Sequence, residues 1–277
     1  MAENPLFFPP SEAKRLEPHL PPVPSTPASS LPYVTLTFAT SLDSALSLGP
    51  GIRTTLSGPQ SKAMTHYLRS RHDAICIGVG TAIADDPALN CRLAASSEGD
   101  DQSKETRGAI TDRQPRPVVI DPHLRWDFTP QSKVIRLARS GTGLAPYIIT
   151  SNAEPPEKKK QILEAVGGKF IFLPAAAAQS PGTQRIDWRE ILAAVRSEGL
   201  DSIMIEGGGE VINSLLAVQN KGLVDSVILT IAPTWLGQGG VVVSPPRTAG
   251  VDGPVARLDN IMWMPLGEDV VLCGRLA

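Results

Sequence analysis

The chain is poor in cysteine, balanced in charge and free of long apolar runs, and each shortage removes a class of function. Its three cysteines, Cys76, Cys91 and Cys273, are an odd set with no C-x-x-C pair. That argues against a disulfide scaffold and against a cysteine-rich zinc site. The 26 lysines and arginines nearly cancel 28 aspartates and glutamates, for a net charge of −2. Such a surface has no electrostatic footprint for nucleic acid or an anionic membrane, so anions must be met by a few placed arginines. No apolar stretch approaches the ~18 residues of a membrane span. Glu3, Asn4 and Pro5 stand where a secretory leader would be basic, and the expected compartment is the cytoplasm. His19, His66, His72 and His123 lack ligand spacing and read as ordinary histidines, not as a metal site.

What is present is an apolar fraction of 42% with 19% charged residues, the balance of a soluble globular protein with a full core. Residues 1–31 stand apart. Pro9, Pro10, Pro18, Pro21, Pro22, Pro24 and Pro27 obstruct helix and ladder alike. They predict a disordered Pro/Ser-rich arm with room for one short helix at residues 11–17. From 32 to 277 strand and helix signals alternate without a linker, which predicts a single domain. Residues 33–39 alternate as a strand, and 58–71 form a helix with Ser57 as its cap and Pro59 in its first turn. Residues 73–77 and 117–121 read as buried strands, with 133–138, 147–150 and 169–173 as further ones. Helices are expected over 154–166 and, capped by Asp187, up to Glu198. Residues 94–115 are polar and read as a mobile surface loop, and 175–182 as another loop. Residues 224–232 give a strand, and 256–264 with 269–274 an antiparallel closing pair. The sum is an α/β fold with a mainly parallel central sheet flanked by helices and an antiparallel C-terminal edge.

One stretch organises the rest. Ile203-Met204-Ile205 stops at Glu206, passes through Gly207, Gly208 and Gly209, and re-emerges at Glu210 as a helix. Glycine permits positive φ and close approach of another molecule. The helix start offers free N–H groups and a positive dipole end, which suit a dinucleotide pyrophosphate. The contiguous glycines differ from the G-x-G-x-x-G turn, and no G-x-x-x-x-G-K-[ST] occurs. A plain turn is the alternative. A second strand-to-helix turn, Gly78-Val79-Gly80-Thr81, follows the strand at 73–77. In an open α/β sheet ligands lie beyond the carboxyl ends of the strands. Both turns, residues 39–43, Asp121 and Thr150 fall at such ends, and that convergence favours a bound dinucleotide.

These residues also carry a resemblance. Residues 35–43, Leu68-Arg69-Ser70, Asp73-Ala74-Ile75, Gly78-Val79-Gly80-Thr81, residues 84–89, Arg92, Glu206-Gly207-Gly208-Gly209 and Ile231-Ala232-Pro233 follow one another as in riboflavin-biosynthesis reductases. The likeness is to their stand-alone fungal and archaeal type and runs over residues 33–274. It implies a dihydrofolate-reductase-like fold, NADPH as hydride donor and a homodimer. The implied reaction is reduction of the ribosyl C1′ of a phosphorylated pyrimidinone to a ribityl chain. Bacterial relatives are fused to a zinc deaminase, whose H-x-E and P-C-x-x-C are missing here.

By the same resemblance Ala39, Thr81, Asp85, Gly207, Gly208, Gly209 and Glu210 contact NADPH. Arg69, Leu89, Arg92 and Glu206 contact the substrate, with Glu206 the catalytic candidate. Two arginines suit a 5′-phosphate through charge-assisted bonds. Each has a blander reading: Arg69 closing its helix, Arg92 on the surface, Glu206 favouring the following helix start, Asp43 shaping a turn. Thr37 stands where some relatives carry lysine, and a hydroxyl does not replace a cationic proton donor, which leaves water as a source. Two other functions fit less well: a nucleotide-binding regulatory module, and a reductase of another pterin or pyrimidine.

Overall fold

The computed structural model describes residues 6–22, 29–94, 113–174, 186–247 and 252–277. Short β-branched runs bounded by glycine, proline or a carboxylate become strands, and longer 3.6-period runs become helices. The strands are β1 (Tyr33–Thr40), β2 (Ala45–Ser47), β3 (Ala74–Gly78), β4 (Arg116–Ile120), β5 (Tyr147–Thr150) and β6 (Lys169–Phe172). They continue as β7 (Ser202–Ile205), β8 (Ser226–Ile231), β9 (Val241–Val242), β10 (Leu258–Leu266) and β11 (Asp269–Leu276). The helices are α1 (Pro10–Leu16), α2 (Pro59–Arg71), α3 (Val79–Asp85) and α4 (Lys133–Arg139), then α5 (Glu157–Glu164), α6 (Trp188–Ser197) and α7 (Gly209–Leu216).

Nine strands make one sheet in the order β10-β11-β8-β1-β7-β3-β4-β5-β6, and β2 with β9 forms a separate ribbon. From β8 to β6 all pairings are parallel, while β11 and β10 close the other edge antiparallel. Pro265 is tolerated because β10 is outermost. One sheet face buries Val34, Leu36, Ile203 and Ile205 against Ile191, Leu192 and Val195 of α6 and Ile212 and Leu215 of α7. The opposite face is shared. Met204 and Ile228 pack with Met64 and Leu68 of α2, and Ile75, Ile77 and Val119 pack with α4 and α5.

Three expectations need correction. Residues 6–22 carry the short helix expected at 11–17, as α1, but are not otherwise a disordered arm: Phe8, Leu16 and Leu20 are buried beside α2 and β11. Each such side chain contributes about 1.5–3 kcal/mol, and Phe8 stacks on Tyr67 at 5.2 Å. Residues 1–5 and 23–28 lie outside the described residues. Residues 133–138 are helix, not strand. Val134 and Ile135 suggested β structure, yet Leu137 and Ala138 favour helix, and the Asp86 carboxylate accepts the Lys133 N–H at 3.0 Å at its start. Ser57 is not the cap of α2. Gly58 takes that position, and Asp269 of β11 accepts from Gly58 N at 2.9 Å and Ser61 Oγ at 2.6 Å. Of the loop expected over 94–115, residues 95–112 lie outside the description. Its end is tied down, because Gln114 exchanges bonds of 2.8 and 3.0 Å with the Cys91 backbone. The loop expected at 175–182 also lies outside it.

Candidate active site

The chain order sets where a crevice opens. After β1 the chain skips to β3 and proceeds outward to β6, then returns to insert β7 between β1 and β3. The carboxyl ends of β1, β7 and β3 thus sit side by side where the sheet reverses direction, the place where open α/β sheets take ligands.

The two glycine turns meet there. A Cβ on Gly208 would lie 3.1 Å from Thr81 Oγ1, and one on Gly78 would lie 3.0 Å from Val211 Cγ2. None of Gly207, Gly208 and Gly209 has positive φ, so freedom to turn left-handed is not why they are glycine. The reason is space. A Cβ on Gly207 would come within 2.2 Å of Val211 Cγ1, and one on Gly209 within 2.4 Å of Val241 Cγ1. Helices α3 and α7 start at Gly78 and Gly208 with no side chain capping either. Their leading N–H groups, at the positive ends of the helices, lie just past the carboxyl ends of β3 and β7.

On the α2 side of the sheet the predicted substrate residues converge. Arg69 Nε donates to Glu206 Oε1 at 2.9 Å and Nη2 to Oε2 at 2.7 Å, a bidentate pair with side chains only 14% and 20% exposed. Nη1 donates to the Asn90 carbonyl at 3.1 Å. Arg69 therefore neither caps its helix nor stands alone as an anion ligand; it joins α2 to the end of β7. The β1–β7 register runs to Leu36–Ile205, so Thr37 and Glu206 each follow directly on its last pair. Leu89 has its side chain in the core at 2% exposure and its backbone at φ +51°. That left-handed conformation costs a leucine about 1–2 kcal/mol, so a ligand contact from Leu89 would use its backbone. Arg92 is half-buried on the same strap, its N–H donating to His66 Nδ1 at 3.0 Å.

Other strand-end carboxylates serve the fold. Asp43 accepts from Ser41 Oγ, and from Leu236 N at 3.1 Å and Gly237 N at 2.8 Å. Those bonds, the one from Ser41 foremost, hold it down at about 2. Asp121 accepts from Arg125 N and Trp126 N at 2.9 and 2.8 Å, and Thr150 Oγ1 bonds the Pro122 carbonyl. Ala39 and Asp85 are half-buried at the ends of β1 and α3, while Glu210 is exposed in the first turn of α7.

Residues 32–272 match the model of the RibD C-terminal domain. The chain belongs to that family. A Debaryomyces hansenii protein named 2,5-diamino-6-ribosylamino-4(3H)-pyrimidinone 5′-phosphate reductase is 39% identical over 96% of this chain and 97% of its own. The Saccharomyces cerevisiae protein of that name is 37% identical, covering 95% and 94%. That from Methanothermobacter thermautotrophicus is 29% identical, covering 87% and 96%. The solved structure of the S. cerevisiae riboflavin biosynthesis reductase Rib7 matches with a TM-score of 0.72 at 31% identity, over 96% of this chain and 100% of that one. Acinetobacter baumannii RibD, at 20% identity, shares the fold with a TM-score of 0.65, over 90% of this chain and 59% of its own. RibD reductase domains have a dihydrofolate-reductase-like fold, and the mainly parallel sheet with its antiparallel C-terminal edge is of that kind.

Sequence reasoning missed His66, Asn90 and Gln114, which brace the strap that carries Leu89 and Arg92. A signal existed for one of them: His66 lies three residues before Arg69 and so shares its helix face.

Proposed function

We propose that this RibD C-terminal family member reduces the ribosyl group of 2,5-diamino-6-ribosylamino-4(3H)-pyrimidinone 5′-phosphate to the ribityl form, with NADPH as hydride donor. One observation carries the reading. Glu206, locked to Arg69 on the α2 side, is followed directly by the glycine turn that opens α7. A substrate-facing carboxylate and an anion-facing turn are thus adjacent in the chain.

The turn suits a dinucleotide because its glycines carry no side chain and, among the described residues, no side chain caps the helix starts behind it. When bound, NADPH supplies the hydride. Gly207, Gly208, Gly209 and Glu210 would hold its phosphates by main-chain N–H groups, with Ala39, Thr81 and Asp85 beside them. The ribosylamine opens to an imine whose C1′ is the electrophile, and the chain's task is to place that carbon and exclude competing water. Glu206 accepts from Arg69 on both oxygens. In that state it is a hydrogen-bond acceptor for substrate hydroxyls or amino groups and not a proton donor. Thr37 has no cationic proton to give, so water supplies the proton. Arg92 pairs with the 5′-phosphate.

The family resemblance extends the reading to a cytoplasmic homodimer, for which sedimentation equilibrium should give twice the 29.4 kDa chain mass. The activity is tested by following reduced-nicotinamide oxidation with and without the phosphorylated pyrimidine. Oxidation that needs the pyrimidine and runs faster with NADPH than NADH supports the reading. A chain that binds NADPH without oxidising it would be a regulatory module. Faster oxidation with a different pterin would change the substrate.

A further inference from the structure

The strap of residues 89–93 lies outside regular structure up to the Leu93–Leu6 bridge, yet it carries Arg92. Arg69 holds it at the Asn90 carbonyl, and Gln114 holds it at both backbone groups of Cys91. Leu6 N donates to the Arg92 carbonyl at 2.8 Å, and the Asn90 side-chain amide donates to the Thr142 carbonyl at 3.1 Å. A further hold, on the Arg92 N–H, is His66 of α2. Its Nδ1 accepts the Arg92 N–H at 3.0 Å, and its own carbonyl accepts from Cys91 Sγ at 3.2 Å. A neutral imidazole has one acceptor nitrogen, so the shorter contact puts the ring proton on Nε2. Nε2, 3.4 Å from Arg92 Nη2, then faces the guanidinium as one donor facing another. The ring grips Arg92 by its main chain and leaves the orientation of the guanidinium to other partners. Burial first, then Arg69 and Arg92, push His66 down to about 2, so Nδ1 remains an acceptor wherever the protein is folded. At 6% exposure the ring is buried.

We propose that His66 is a positioning residue, fixing the Arg92 main chain so that its guanidinium is presented to the phosphate of the substrate. The inference rests on the reading of Arg92 as the phosphate ligand. It is distinct from that reading, because a phosphate-binding Arg92 could be placed by the bonds at Asn90, Cys91 and its own carbonyl alone.

The test compares KM and kcat for the phosphorylated and dephosphorylated pyrimidine in His66→Leu, His66→Asn, Arg92→Ala and the His66→Leu/Arg92→Ala double variant. Leucine removes the acceptor, whereas the Oδ1 of asparagine occupies the place of Nδ1. His66→Leu should raise KM for the phosphorylated substrate about tenfold, the scale of one unpaired buried donor, with kcat within about twofold and KM for the dephosphorylated substrate unmoved. His66→Asn should recover most of the loss, and in the Arg92→Ala background His66→Leu should add little. An equal KM rise for both substrates, no rise, or full additivity with Arg92→Ala would overturn the role of His66. If His66→Leu fails to fold, a His66→Asn variant with a raised phosphate-dependent KM overturns it and one with native KM supports it. If Arg92→Ala itself discriminates nothing between the two substrates, the phosphate reading of Arg92 falls, and the role of His66 with it.

Discussion

At the scale of the residue, the three glycines after Glu206 show why type alone misleads. They need space and not a left-handed backbone, since Val211, Thr81 and Val241 fill the volume a Cβ would claim. Gly209 gives the sharpest consequence, because it is a buried residue of α7 where alanine would ordinarily gain about 1 kcal/mol in helix propensity. Here Gly209→Ala should instead destabilise the protein by about 1–3 kcal/mol through overpacking. Val241→Ala should relieve much of this, since only the Val241 Cγ1 lies close, its Cβ being 3.9 Å away. Denaturant unfolding of both single variants and the double variant measures the coupling; a stabilised Gly209→Ala would contradict the packing. Arg69 and Glu206 make a related point. Their mutual bidentate bond was not legible, because nothing local in the sequence ties position 69 to position 206.

At the scale of the element, strands were read well where a β-branched run ends on glycine, proline or a carboxylate, and so were the helix capped by Asp187 and the closing hairpin. The failures came where a distant residue decides the matter. Asp86 supplies the start of α4, Asp269 supplies the start of α2, and α2 with β11 supplies the surface on which the proline-rich segment orders. Composition alone does not show that segment's buried contacts, which lie with residues far along the chain. Leu16, fully buried at 0% exposure, is its anchor. Leu16→Ala should cost about 2–5 kcal/mol, read from the denaturation midpoint. A loss under about 0.5 kcal/mol, the range of surface substitutions, would mean that α1 contributes nothing to the folded state.

At the scale of the whole molecule, buried neutral histidines predict an acid limit. Burial pushes His72 down to about 4 and His66 to about 2, below the ordinary imidazole value of 6.5. A group whose folded pKa is depressed is neutral in the fold and takes up a proton on unfolding. The stability is therefore present above pH 6.5 and falls as pH drops from there toward 4. The slope should be at most about 1.4 kcal/mol per pH unit per histidine. Thermal unfolding across that range checks it, and a flat profile would mean these rings are not neutral and buried.

The same assembly of strand ends gives the central claim, that the turn after Glu206 is the line along which a nicotinamide cofactor and a pyrimidine ribosyl phosphate meet. It is tested most directly by turnover with NADPH deuterated at the reactive C4 position. The account predicts a ribityl product carrying the deuterium at C1′, formed only when the phosphorylated pyrimidine is present. Deuterium lost to solvent or found elsewhere in the product, or a product without deuterium at C1′ from either of the two C4-monodeuterated isotopomers, would contradict it.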